Sequence, residues 1–393
     1  MIRQAALYLP TADDLEAGLV PVAGRPVAFR ALVHVVRAGA DRVGVPAIFR
    51  GTTVESAIAA SPRVRGAVLW LDHGRLDHTA TLLVPVNAVT PTAALAALLA
   101  ARPPAVLAAS THDGSATLVA DSSFTTTLAP ALAAGSAVGD EIGRALKSRE
   151  AAAVEPGAWH IRVRDARSAR DAEDRLFAAL GSPIDTRLDR ALHRRLSRPV
   201  TRAAIALGVT ANQLSVLSLL VGLLAAWCFW RGTATAALAG LLVYVAAVVL
   251  DHADGEVARL ALTESRVGEW LDILVDTIVH AALVVAMGLT AQRLVGAGAL
   301  LGVVATLGII ASAAVAKLWP TTGAATPVAA TLENLGSRDG FYAMLLLFIT
   351  ARALMPAALP LLMIIVALGA HAYWLARAAY TLKGVGSVGK TRR

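Results

Sequence analysis

The chain has 393 residues, 56% hydrophobic and 16% charged, with a mean hydropathy of +0.61, which excludes an ordinary two-domain soluble protein. The apolar excess is uneven: charges recur every few residues up to about Leu180, and long apolar stretches begin beyond Ala211. A net charge of +8 would suit a nucleic-acid partner in a soluble protein, but none is expected here. The basic residues gather beside the apolar stretches, at Arg187, Arg190, Arg194, Arg195, Arg198 and Arg202 and again at Lys383, Lys390, Arg392 and Arg393. Cytoplasmic loops of membrane proteins carry that excess, and it suits anionic headgroups.

In chain order, the N-terminal stretch MIRQAALYLPTADD lacks an apolar core long enough for a signal peptide, so residues 1–180 are expected in the cytosol. Val27–Ala38 places apolar residues at helical spacing, stops at Gly39 and leads into Arg42–Val45; Ala67–Leu71 and Thr81–Val86 read as strands. Strands alternating with helices predict an α/β domain with a mainly parallel sheet. Asp165–Leu180 predicts a further helix with Leu176, Phe177 and Leu180 on one face.

Residues 181–209 read as a basic juxtamembrane helix and linker. Ile184, Leu188, Leu192 and Leu196 line one face while arginines fill the others. Such a helix is expected to lie along the cytoplasmic interface with its arginines at headgroup phosphates. Pro199 is expected to bend the chain toward the bilayer.

Residues 210–385 then carry six apolar segments, at about Gln213–Phe229, Ala236–Asp254, Gly268–Leu289, Leu294–Ala316, Gly340–Leu354 and Leu361–Leu382. They predict an all-α domain of six transmembrane helices, followed by a basic tail over 386–393. The lone cysteine, Cys228, lies in the first segment, so neither an internal disulfide nor a thiolate zinc site is available. Turns near Arg231, Arg293 and Arg352 are assigned outside. The Arg259–Arg266 loop, the Lys317–Arg338 loop and the tail fall inside, where the richer positive charge belongs. The expected protein is multi-pass in the inner or cytoplasmic membrane, with both termini cytoplasmic.

Within the apolar half lies DHADGEVARLALTESRVGEWLDILVD, from Asp251 to Asp276. Acidic groups at membrane depth survive where they pair, bind metal or do chemistry. Asp251 and Asp254 are spaced i,i+3, and Asp272 and Asp276 i,i+4, so each pair shares a helix face. Four carboxylates in a low-dielectric site repel one another, and a divalent cation relieves this. Hard oxygen ligands favour Mg²⁺, Mn²⁺ or Ca²⁺, and two ions can share such a site. Gly255 and Gly268 leave room beside Asp254 and before Asp272, and Arg259 offers a planar fork for phosphate oxygens. Together they point to a pyrophosphate substrate. His252, His280 and His371 lie in or beside spans, but their spacing forms no metal motif, and they are read as packing or interhelical hydrogen-bonding residues.

The chain resembles the CDP-alcohol phosphotransferase (CDP-alcohol phosphatidyltransferase) family, whose signature D-x-x-D-G-x-x-A-R, then G-x-x-x-D-x-x-x-D, is matched by Asp251, Asp254, Gly255, Ala258, Arg259, Gly268, Asp272 and Asp276. The resemblance implies six transmembrane helices, a cytoplasmic site and a homodimer. It assigns Asp251, Asp254 and Asp272 to Mg²⁺ or Mn²⁺, as two ions, and Asp276 to the general base, also touching metal. The acceptor hydroxyl attacks the phosphorus carrying the lipid or alcohol, and CMP leaves. Gly208–Gln213 (GVTANQ) resembles the family's G-[IV]-T-P-N-x entry, implying that Thr210 and Asn212 help hold the cytidine diphosphate, although Ala211 replaces the usual proline. For a phosphorylated acceptor, Arg338 in Ser337–Gly340 is the candidate phosphate ligand, with Lys317 second.

Leu19–Ala40 resembles a sugar-phosphate nucleotidyltransferase, with P-[VI]-x-G-[RK]-P represented by PVAGRP. Leu7–Gly18 lacks the glycine-rich phosphate loop of those enzymes, Val84–Ala88 offers only Asn87 where a metal aspartate is expected, and Asp165 alone builds no metal site. The N-terminal domain is therefore read as a degenerate, inactive nucleotidyltransferase-like unit. The membrane family includes fusions of a cytidylyltransferase making CDP-inositol to a synthase that joins it to inositol phosphate, and this chain has that order. The expected partners are a CDP-linked lipid or polyol donor, an alcohol or alcohol-phosphate acceptor of inositol-phosphate type, and membrane lipids. A non-catalytic scaffold with a docking domain and a transporter are the alternatives; the complete motif argues against the first and the lack of internal repeats against the second.

Overall fold

The computed structural model describes residues 2–111, 115–148, 151–155, 157–180, 188–318 and 338–388, with side chains described to residue 379. The chain divides into two compact units, Met1–Leu180 with Leu260–Leu262, and Gly181–Arg259 with Thr263–Arg393.

The first unit is α/β. Its seven-stranded sheet comprises β1 (Gln4–Tyr8), β2 (Arg42–Val45), β3 (Val68–Trp70), β4 (Thr81–Pro85), β5 (Ala105–Leu107), β6 (Leu118–Ala120) and β7 (Ala152–Val154), in the spatial order β7-β5-β6-β4-β1-β2-β3. Only β6 runs antiparallel to its neighbours. Every residue of β1 and β4 is buried, as expected for central parallel strands covered on both faces. The helix read from apolar spacing is present as α1 (Val27–Ala38), and Gly39 ends it in the left-handed region at φ 111°, a conformation that suits glycine. Before α1, the strands Pro21–Val22 and Arg25–Pro26 form a hairpin whose turn, Ala23 and Gly24, has φ of 47° and 75°. Positive φ at both turn positions is the geometry that matches strand twist. The Ala23 N–H donates to Glu173 Oε1 at 2.6 Å, which ties the turn to α2 (Ala166–Ala178).

The second unit is helical: α3 (Arg194–Ala206), α4 (Ala211–Arg231), α5 (Ala234–Leu260), α6 (Arg266–Val295), α7 (Ala299–Leu318), α8 (Arg338–Leu354) and α9 (Leu359–Val388). Among the described residues, five helices are long and apolar enough to cross a membrane: α4, α5, α6, α7 and the Pro356–Ala379 stretch. The segment expected as the fifth of six spans is α8, which has only 17 residues; Ser337 and most of the Lys317–Arg338 loop lie outside the described residues. Helices close up where glycine removes a side chain. A Cβ at Gly222 on α4 would stand 2.4 Å from Val279 Cγ2 on α6, and one at Gly288 on α6 would stand 2.8 Å from Gly302 Cα on α7. Small residues at such crossings let dispersion contacts between helices replace contacts with lipid.

Pro199, expected to bend the chain, lies inside α3, and the chain turns at Gly208, with φ +70°. The helix also keeps its polar residues inward. A single π turn at Asp189–His193 precedes α3, and Asp189, His193, Ser197 and Thr201, spaced by four, are all buried. Leu192 and Leu196 are exposed, while Leu188 packs against the bundle core. The inward polar stripe is satisfied by the bundle. Glu256 on α5, only 1% exposed, accepts hydrogen bonds from Arg194 Nη1 (2.9 Å), Ser197 Oγ (2.9 Å) and Thr201 Oγ1 (2.7 Å). The arginine expected at headgroups, Arg194, is thus an internal partner.

Candidate active site

Asp251 and Asp254 stand near the C-terminal end of α5, and Asp272 and Asp276 near the start of α6. One carboxylate oxygen each from Asp251, Asp254 and Asp272 lies within 4.8 Å of the others. The i,i+3 spacing on α5 and the short connection to α6 bring this about, because each spacing returns side chains to one helix face. Asp251 and Asp254 are buried, Asp272 is exposed, and the Asp276 side chain is 42% exposed. The cluster therefore opens on the α6 side.

Asp254 Oδ2 accepts a 2.5 Å hydrogen bond from Ser215 Oγ on α4. Asp251 Oδ2 is paired with Arg338 Nη2 at the start of α8, and the same nitrogen lies 3.6 Å from Asp276 Oδ2. Among the described residues, Asp251 Oδ1 is buried with no hydrogen-bond partner. An unpartnered buried carboxylate oxygen is costly, and it faces a site whose other donors are also oxygens. That donor set suits a hard divalent cation.

Gly255 leaves room for its own helix: a Cβ there would stand 3.3 Å from Arg259 Nη1, so the exposed Arg259 side chain runs back alongside it. Gly268 sits where Ser265 caps α6, its N–H donating to Ser265 Oγ at 3.0 Å. A Cβ at Gly268 would stand 3.2 Å from that oxygen and 3.5 Å from Asn212 Oδ1, so Asn212 on α4 and Gly268 on α6 are brought together. Thr210 is the N-cap of α4 in a reciprocal capping box with Gln213. Lys317 pairs with Glu269 and lies 5.1 Å over the Trp270 ring.

Three participants were not singled out from the sequence. Ser215 holds Asp254, and Asp189 and His193 form with His252 a second group whose ligand atoms lie within 4.8 Å of one another. The signal for Asp189 and His193 was the four-residue polar spacing from Asp189 to Thr201, obscured by the surrounding arginines. His280 instead bonds Tyr244 Oη at 2.8 Å, and His371 Nε2–H donates to the Val304 carbonyl at 3.0 Å while Nδ1 accepts from Trp374. These two are interhelical hydrogen-bonding residues.

In the first unit, the C-terminal ends of β1 and β4 lead to a closed polar knot. Asp14 Oδ1 accepts from Asn87 Nδ2 (2.7 Å), and Oδ2 accepts from Arg162 Nη2 (2.5 Å), the Thr11 N–H (2.8 Å) and Thr11 Oγ1 (2.7 Å). Asn87 Nδ2 also donates to the Val163 carbonyl at 3.0 Å. Asp165 is the N-cap of α2, accepting from the Ser168 N–H. These acids serve internal hydrogen bonds.

An apolar helical bundle thus holds carboxylates and an arginine beside an Asp-x-x-Asp-Gly helix. Residues 208–382 match the family model for CDP-alcohol phosphatidyltransferase, and the chain carries a domain of that family. Similar proteins include the CDP-diacylglycerol--serine O-phosphatidyltransferase of Mycobacterium leprae, 38% identical over 82 residues, which are 21% of this chain and 26% of the relative. The bifunctional IPC transferase and DIPP synthase of Archaeoglobus fulgidus is 35% identical over 102 residues, 26% of this chain and 20% of that one. The protein of the same description from Aquifex aeolicus is 32% identical over 102 residues, 26% and 23%. The matched segments thus span about a quarter or less of these relatives.

Proposed function

We propose that the protein is a metal-dependent CDP-alcohol phosphotransferase of phospholipid synthesis, transferring a phosphoalcohol group, phosphatidyl in the leading form, from a CDP-linked donor to an alcohol acceptor and releasing CMP. The observation that carries this reading is the convergence of Asp251, Asp254 and Asp272 oxygens within 4.8 Å, inside the segment that matches the family model. In it, Asp251, Asp254 and Asp272 would hold Mg²⁺ or Mn²⁺, two ions in all, with Asp276 also touching metal. A metal bound there would neutralise charge on the donor's diphosphate as its P–O–P bond breaks, one phosphate leaving with CMP and the other passing to the acceptor with its alcohol. Asp276, half-exposed at the mouth of the cluster, takes the proton of the acceptor hydroxyl. Arg259 and the clearance at Gly255 and Gly268 serve the diphosphate, with Asn212 near Gly268 and Thr210 at the head of α4 on the cytidine side.

Arg338 is the ligand for an acceptor phosphate, and Lys317 the second candidate. An inositol-phosphate-type acceptor agrees with the domain order, and two of the relatives are a bifunctional IPC transferase and DIPP synthase. Domains run 1–180, 181–209, 210–385 and 386–393, with α8 as a sixth, short span. The protein acts as a homodimer in the inner or cytoplasmic membrane, with both termini and the site cytoplasmic.

The test is incubation of purified protein with CDP-diacylglycerol, CDP-polyols and a panel of free and phosphorylated alcohols, with mass detection of products. CMP release is expected to require Mg²⁺ or Mn²⁺ and to vanish in Asp276→Asn with the fold retained. Unchanged turnover in that variant removes the base assignment. The N-terminal domain, its Asp14 and Asn87 engaged with Arg162, performs no nucleotidyl transfer in this reading. CDP-inositol formed from CTP and inositol phosphate would overturn that part.

A further inference from the structure

We infer that the π turn Asp189–His193, ahead of the membrane bundle, is part of the active site: with His252 and Tyr342 it positions the Arg338 guanidinium and thereby sets affinity for an anionic acceptor. The inference rests on the reading of Arg338 given above.

Arg338 is the first residue of α8, where the helix dipole opposes a positive charge. Its side chain must therefore be held by other groups. Nη2 is held by Asp251 and faces Asp276, while Nη1 lies 2.8 Å from His252 Nε2 and 4.0 Å from Asp189 Oδ1. Asp189 Oδ1 accepts from His193 Nδ1–H at 2.8 Å, and His193 Nε2 accepts from the Tyr342 hydroxyl at 3.0 Å. Tyr342 lies one turn along α8 from Arg338, so the ring of contacts closes on the helix where it began. His252 Nε2 also lies 2.9 Å from Asp189 Oδ1. A single ring nitrogen serves one partner at a time, donating to Asp189 or accepting from Arg338, and either arrangement couples the two. The His193 ring stacks on His252 at 5.4 Å and on Tyr342 at 5.5 Å. Asp189, His193 and His252 are all buried.

Two simpler roles fit less well. Asp189, His193 and His252 have metal-ligand chemistry, but a cation there would compete with Arg338 Nη1 for the His252 Nε2 and would repel the guanidinium. The guanidinium is the cation around which these groups are already arranged. Anchoring of α3 is the other role, and Glu256 already performs it through Arg194, Ser197 and Thr201. Asp189, His193, His252 and Tyr342 are positioning residues, acting through Arg338.

The test uses the full chain in detergent or nanodiscs, with Asp189→Asn, which keeps size and removes charge, and Tyr342→Phe, which removes one hydroxyl. Two readouts are taken: separate KM values for acceptor and donor, and the rate at which phenylglyoxal modifies Arg338, followed by mass spectrometry. In Asp189→Asn the acceptor KM is expected to rise about tenfold, equivalent to about 1.4 kcal/mol, with donor KM changed by less than about twofold. Tyr342→Phe should shift the acceptor KM in the same direction by about threefold, and Arg338 labelling should rise about threefold or more in both variants. An unchanged acceptor KM, unchanged labelling, or equal losses in both KM values alongside a lowered Tm would each overturn the inference. If the wild-type protein releases no CMP with any acceptor, the functional reading fails, and labelling alone decides the positioning role.

Discussion

Replacing Glu256 by alanine should release α3 from the bundle. The carboxylate is 1% exposed, and its partners are the Arg194 guanidinium, 12% exposed in its side chain, and the fully buried hydroxyls of Ser197 and Thr201. Deleting one member of a buried ion pair costs about 3–5 kcal/mol, and the lower end applies here because Arg194 has contacts besides Glu256. Each hydroxyl left without an acceptor adds about 1 kcal/mol, partly regained by water entering the space of the missing side chain. A working figure for Glu256→Ala is therefore about 4 kcal/mol of local stability. Glu256→Gln keeps one acceptor oxygen but turns a donor amide toward the other partners, so about half that loss is expected. Hydrogen–deuterium exchange of the full chain in nanodiscs reads the loss directly. If local opening governs exchange, 4 kcal/mol speeds the amides of Arg194–Ala206 by about a thousandfold, while those of α4 and α6 stay near wild type. Exchange of α3 unchanged within about threefold would refute the claim that Glu256 holds it.

Two further outcomes follow from packing and titration. His34 is buried with its Nδ1–H donated to the Thr90 carbonyl at 2.7 Å, and burial, aided by nearby Arg30, pulls its pKa down to about 4. The unfolded chain binds the proton near pH 6.5 and the folded chain does not, so stability is present above that value and lost as pH falls toward 4. Between pH 7.5 and pH 5 the loss is about 2 kcal/mol, seen as faster exchange in Val27–Ala38 and abolished in His34→Gln. Gly222→Val should cost about 1–3 kcal/mol in thermal unfolding of the bundle, because the new Cβ meets Val279 Cγ2 at 2.4 Å; adding Val279→Ala should recover most of it.

Much of the site was legible because helical periodicity is local. The i,i+3 and i,i+4 aspartate spacings are visible in sequence, and so is the glycine beside Arg259. The α1 helix and the β2 strand fall at the residues that apolar spacing indicated. In the juxtamembrane segment Arg194 was misread for an equally physical reason. Arginines and leucines dominate any hydrophobicity profile of residues 188–206, while its buried stripe is made of Asp189, His193, Ser197 and Thr201. Polar residues face inward only when something across the interface satisfies them, and Glu256 lies 55 positions beyond Thr201 in the chain. The same holds for Asn87 and Arg162, which meet at Asp14 from distant parts of the first unit.

By itself the sequence determined the division into a polar α/β half and an apolar helical half, and the pairing of carboxylates on two consecutive helices, because composition and helix period act over a few turns. Only the tertiary structure decided which groups serve those carboxylates. Ser215 on Asp254, Arg338 on Asp251, and Asp189 with His193 behind Arg338 all join residues far apart in the chain, and a buried charge accepts whichever partner the packed helices bring within hydrogen-bond reach.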